Sequence, residues 1–127
     1  MGPIDIQFEQ LRQKYPGATL QPLPDGSAII RIPNIRLNAE RWNNNSTTVY
    51  FVAPVGYPAA KPDCFWTDAD LRLRSGNSPK NTGNQPLPPG IAAPTLWFSW
   101  HAASWNANSD SLRTYLRVIE DRLALFE

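Results

Sequence analysis

The sequence predicts an α+β domain, and three observations carry that prediction. A helical pattern opens the chain, a block of β-branched and aromatic segments follows, and a second helical pattern closes it. Strands gathered in one block with helices outside it are the mark of α+β rather than of alternating α/β architecture. The length of 127 residues fits one domain, expected here to span 1–127.

Each element has a local reason. Phe8, Leu11 and Tyr15 recur at helical spacing after Asp5, and Pro16-Gly17 ends the run, so a helix is expected over 4–15. Ala18 to Pro22, the turn Pro24-Asp25-Gly26 and Ser27 to Ile32 read as a β-hairpin. Ile35 to Leu37 continues that sheet after a break at Pro33-Asn34, and 41–46 is a polar turn. Thr47 to Val52 is β-branched and aromatic throughout and is the clearest strand. Cys64 to Thr67 reads as a further short strand, which makes a meander of about four. Residues 75–95 hold five prolines, three glycines and three asparagines, so a long irregular loop is expected there. After the aromatic run Trp97 to His101, Asn108 or Ser109 caps a final helix. Its apolar positions are Leu112, Tyr115, Leu116, Ile119, Leu123 and Phe126.

Composition excludes several function classes. The formal charge is +1 with no concentrated basic run, which gives no electrostatic case for nucleic acid. One cysteine allows no internal disulfide, and one cysteine with one histidine falls short of a structural zinc site, so neither metal nor cofactor is expected. No apolar stretch approaches a membrane span and no secretion signal opens the chain. The glycosylation-like triplets at Asn44 and Asn45 are therefore read as a turn, and a soluble cytoplasmic protein is expected.

Tyr50 to Pro62 is the most specific stretch: a strand, Pro54, then Tyr57-Pro58-Ala59-Ala60-Lys61-Pro62. It resembles the strand, proline and Tyr-Pro-x-x-x-Pro pattern of ubiquitin-conjugating (E2) proteins. The initial helix and meander follow the E2 order, and Trp105 looks like the tryptophan that follows the E2 active-site segment. The similarity covers roughly residues 5–125 and is greatest to prokaryotic E2-like proteins of bacterial ubiquitin-like conjugation operons. It implies a UBC-type fold and transfer of a ubiquitin-like protein from an E1-like activating enzyme to an amine. A deconjugating peptidase belongs to the same implied pathway, as does a role in antiphage defence. Two features depart from the pattern: 67–96 contains no His-Pro-Asn motif, and only one convincing helix follows the active-site segment.

Two residues compete as nucleophile. Cys64 has the better chemistry, since a thiol is the strongest common nucleophile near neutral pH. Its position matches an inward-facing apolar residue of the fourth E2 strand, and free cysteines are commonly buried. Ser99 has the better position, because counting back from Trp105 places the E2 catalytic cysteine within 97–99. In an extended segment Ser99 and His101 share a face, which lets His101 act as general base toward an oxyester-forming hydroxyl. Asp68, Asp70 and Asp110 are the candidates to orient His101, and Asn77, Asn81 and Asn84 to supply an oxyanion amide. Against these stand plainer roles: a hydrogen-bonded structural histidine, turn-forming asparagines, and tryptophans that fill space between loop and sheet. The alternatives to conjugation are a non-catalytic binding or scaffold domain of the same fold and, last, a small Ser99/His101 hydrolase. No Gly-x-Ser-x-Gly supports the hydrolase.

Overall fold

The computed structural model describes residues 3–85 and 94–127. Helix α1 (Pro3–Lys14) leads into strands β1 (Thr19–Pro22), β2 (Ala28–Arg36), β3 (Ser46–Ala53) and β4 (Phe65–Asp68). Strands β5 (Thr82–Gly83) and β6 (Thr95–Phe98) and helix α2 (Leu112–Leu123) complete the order. All neighbouring strands are antiparallel, in the order β1-β2-β3-β4-β6-β5. The α+β class and both terminal helices match expectation, and the four-stranded meander is present. Two further strands extend it beyond β4: β5 lies inside the 75–95 stretch expected to be a loop, and β6 begins at its last residue. Residues 86–93 of that predicted loop lie outside the described residues.

Local chemistry explains the departures. Proline cannot donate to a ladder, yet β2 runs straight through Pro33. Asn34 takes a left-handed φ of 61°, and the pairing with β3 shifts between Ile32 and Ile35. This is the signature of a bulge that lets one strand pass a residue without an N–H. Gly17 closes the turn after α1 because a Cβ there would stand 2.9 Å from Pro33 Cγ. Helix α2 is capped by Ser111 rather than by Asn108 or Ser109, and its N–H donates to Thr114 Oγ1 (3.0 Å). Asn108 instead belongs to a turn closed by the Asn106 N–H on Asp110 Oδ2 (2.6 Å).

The sheet separates two apolar clusters. Ile30, Ile32, Val49, Phe51, Phe65 and Phe98 face Leu11 of α1 and Leu112, Tyr115, Leu116, Ile119 and Leu123 of α2. Each such side chain stabilises the fold by roughly 1.5–3 kcal/mol on burial. Ile29, Tyr50 and Trp66 form a smaller cluster from the alternate strand positions. Trp42, placed by sequence in a polar turn, is fully buried, and its Nε1–H donates to the Leu123 carbonyl (3.0 Å).

Candidate active site

The candidate residues converge where the start of β4 meets the end of β6. Phe65 pairs with Phe98 across the ladder, and their rings stack with centroids 4.6 Å apart. Register therefore sets Cys64, one residue before β4, beside Ser99 and Trp100, just past β6. Cys64 is not a strand residue as the sequence suggested. It adopts a left-handed φ of 63°, a conformation that costs a side-chain-bearing residue about 1–2 kcal/mol. Its N–H donates to the Trp100 carbonyl (3.2 Å), and its carbonyl accepts the Tyr115 hydroxyl (2.7 Å). That hydroxyl also reaches the Trp100 carbonyl (3.2 Å), so one phenol of α2 ties both site segments together.

Cys64 is 9% exposed and belongs to neither apolar cluster. Burial pushes its thiol up, and the Asp63 carboxylate pushes it further; hydrogen bonds from the Trp100 backbone and the Trp97 and Ser99 side chains partly offset both. Ser99 is half-buried, and its N–H donates to the Asn81 carbonyl (2.8 Å). Strand β6 stops at Phe98, so Ser99 and His101 do not share a strand face as expected. The Ser99 side chain lies next to the Cys64 thiol and acts on it, lowering its pKa.

His101 is exposed, and its Nδ1 is paired with the Asp63 carboxylate. The orienting carboxylate is thus Asp63, not Asp68, Asp70 or Asp110. Asp68 accepts from Thr47 Oγ1 (3.0 Å) and the Thr48 N–H (3.2 Å), and Asp110 closes the turn before α2. Asp70 is exposed at the turn after β4, with its carbonyl accepting the Asn43 amide (2.8 Å). With Nδ1–H donating to Asp63, the neutral ring presents Nε2 as a proton acceptor. One ligand-type atom each of Asp63, Cys64 and His101 lies within 4.8 Å of the others. Asp63 went unnoticed because nothing periodic links it to a histidine 38 residues away.

The surroundings hold this rim in place. The Trp105 Nε1–H donates to the Pro58 carbonyl (2.8 Å), fastening the segment after His101 to the Tyr-Pro turn. Arg122, fully buried on α2, lies 5.3 Å from the ring centroids of both Phe98 and Trp100. Its Nη2 donates to the Lys80 carbonyl (2.7 Å). Desolvation lowers its pKa from the usual arginine value. The loop asparagines act through the backbone: Asn81 has a left-handed φ of 61°, and the Asn77 carbonyl accepts the Leu73 N–H (3.0 Å). Asn84 is exposed.

The structure thus fastens Trp105 to the Tyr-Pro turn just beyond the segment that bears Ser99 and His101. The family profile of prokaryotic E2 family E matches residues 10–125, and the chain belongs to that family. No curated protein and no solved structure matches it significantly. Among the described residues no helix is long and apolar enough to cross a membrane.

Proposed function

We propose that this chain is a UBC-fold conjugating protein. It takes the C-terminal acyl group of a ubiquitin-like protein from an E1-like enzyme and passes it to an amine, in the bacterial cytoplasm. The observation that carries the reading is the Asp63-oriented His101 beside Cys64, with Ser99 next to that cysteine, in a member of a prokaryotic E2 family. In the first step Ser99 Oγ attacks the activated acyl carbon while His101 Nε2 takes the hydroxyl proton. The carrier group of the E1-like enzyme leaves with that proton, and an oxyester remains. In the second step an amine attacks the ester carbon, and its proton returns through His101 to the departing Ser99 oxygen. Such positioned proton transfer contributes typically about 10²–10⁴-fold. Asp63 keeps the imidazole in the tautomer both steps use.

Ser99 is favoured over Cys64 because it is the more open of the two and lies where the E2 pattern puts the acyl carrier. The thiol is shielded, and burial pushes its pKa up. One observation supports Cys64 as a second reading: its sulfur shares a 4.8 Å cluster with His101 and Asp63, where a small rotation would let the base reach it.

The test is acyl transfer with the E1-like enzyme, ATP and the ubiquitin-like protein, followed by intact mass spectrometry. A thiol-resistant, hydroxylamine-sensitive adduct that disappears in Ser99→Ala and survives in Cys64→Ser is expected. A thiol-sensitive adduct lost in Cys64→Ser would move the chemistry to the cysteine. No adduct, with stable co-purification of either partner, would make the chain a binding module.

A further inference from the structure

We propose that Asp63, Cys64 and His101 form a binding site for a zinc-type divalent ion, with the thiolate sulfur, one ring nitrogen and one carboxylate oxygen as ligands. Among the described residues three such donors come together, and three protein ligands with an open fourth position is how zinc is held where it stays reactive or exchangeable. The donor set of one soft sulfur, one imidazole and one hard oxygen suits zinc better than magnesium or calcium, which take oxygen alone. All three donor atoms lie within 4.8 Å of one another. Tetrahedral bonds of about 2.0–2.3 Å bring such atoms to roughly 3.5 Å apart, so side-chain rotation closes the site.

The three residues are well placed to meet an ion without refolding. Cys64 is fixed by its hydrogen bonds to Trp100 and Tyr115, so the sulfur has a defined origin at the foot of the site. His101 and Asp63 stand at the rim, 52% and 61% exposed in their side chains, where an ion enters from solvent. Binding exchanges the thiol proton for the metal and sends that proton to bulk water. It also occupies the carboxylate and imidazole that serve as orienting group and base in the conjugation reading. The regulatory consequence rests on that reading: a loaded site withholds the base from Ser99, and removal of the ion returns it.

The site is tested with the purified chain alone, titrated with Co²⁺ and followed by absorption. A near-ultraviolet thiolate-to-cobalt band and visible bands of tetrahedral cobalt are expected, saturating at one ion per chain and abolished by Zn²⁺. Cys64→Ser should remove the thiolate band. His101→Ala and Asp63→Asn should weaken binding roughly tenfold or more. Circular dichroism of each variant establishes that it is folded. Absence of a thiolate band in the wild-type chain, or equal affinity in folded Cys64→Ser and His101→Ala, overturns the proposal. A separate arm measures adduct formation with and without saturating Zn²⁺, with slowing reversed by EDTA as the expected result. Metal binding without any adduct would leave the site standing and remove the conjugation reading, while an adduct with no metal binding would do the reverse.

Discussion

The two ends of the sheet are built on different principles. At one end, β1, β2 and β3 are joined by short connections: Pro22 faces Ala28, and Arg36 faces Ser46. At the other end, β4 pairs with β6 across a long connection, Asp68 facing Thr95 and Phe65 facing Phe98, and Cys64 and Trp100 are fastened by a phenol from α2. The first end is held by ladder bonds and local turns. The second depends on side chains that satisfy carbonyls from far along the chain, and there Ser99, Cys64 and the His101–Asp63 pair are found. Strain is tolerated at that end because several long-range bonds over-determine it, as the left-handed Cys64 illustrates. The near end thus supplies stability and the far end supplies geometry, and substitutions should separate the two.

The largest effect is expected where both meet. Phe98→Ala removes the stack on Phe65 and the ring beside Arg122, and should cost about 3–5 kcal/mol as read from the urea midpoint. It should abolish adduct formation as well, since Ser99 follows directly. Tyr115→Phe is more discriminating. It keeps the ring, takes the hydroxyl from the buried Cys64 carbonyl and leaves the Trp100 carbonyl with the Cys64 N–H alone, for about 1–3 kcal/mol. Adduct formation should slow in this variant even under conditions where the chain is fully folded. Ile32→Val at the near end should lower stability by about 0.5–1.5 kcal/mol and leave the rate of adduct formation unchanged. An equal slowing by Ile32→Val and Tyr115→Phe would erase the distinction between the ends.

The smallest effect concerns the first hairpin. Asp25 accepts the Ser27 N–H (2.9 Å) and hydroxyl (2.5 Å), which hold its carboxyl below the usual aspartate range. A lowered acid contributes stability that is fully present above its unfolded pKa, about pH 4, and is lost as pH falls through the folded value. The stability difference between wild type and Asp25→Asn should therefore shrink on acidification through that window. A difference that does not change with pH would mean the turn is held by its backbone alone.

How much was legible in the sequence follows the same division. The hairpin, the Thr47–Val52 strand and the apolar stripe of α2 are written in local periodicity, which burial on one face imposes. Leu112, Tyr115, Leu116 and Ile119 were readable because a helix must repeat its buried positions every three or four residues. The Tyr115 hydroxyl was not readable, since periodicity says that a ring is buried and nothing about what its oxygen meets. Asp63 and Arg122 escaped for a related reason: their partners lie across the fold, and long-range polar contacts leave no spacing signature. Ser99, Cys64 and His101 could be nominated by chemistry and position. That Cys64 and Ser99 meet is a consequence of the β4–β6 register, which becomes visible only once Phe65 is opposite Phe98.

The account turns on Asp63 and His101 acting as one unit, and the most direct measurement is a double-mutant cycle on the rate of acyl-adduct formation. Asp63→Asn, His101→Gln and the double variant would be compared with wild type under single-turnover conditions. Either single change should slow the reaction by about 10²-fold or more, and the double variant should be little slower than His101→Gln. Two independent, multiplying losses, or a wild-type rate in His101→Gln, would contradict the central claim.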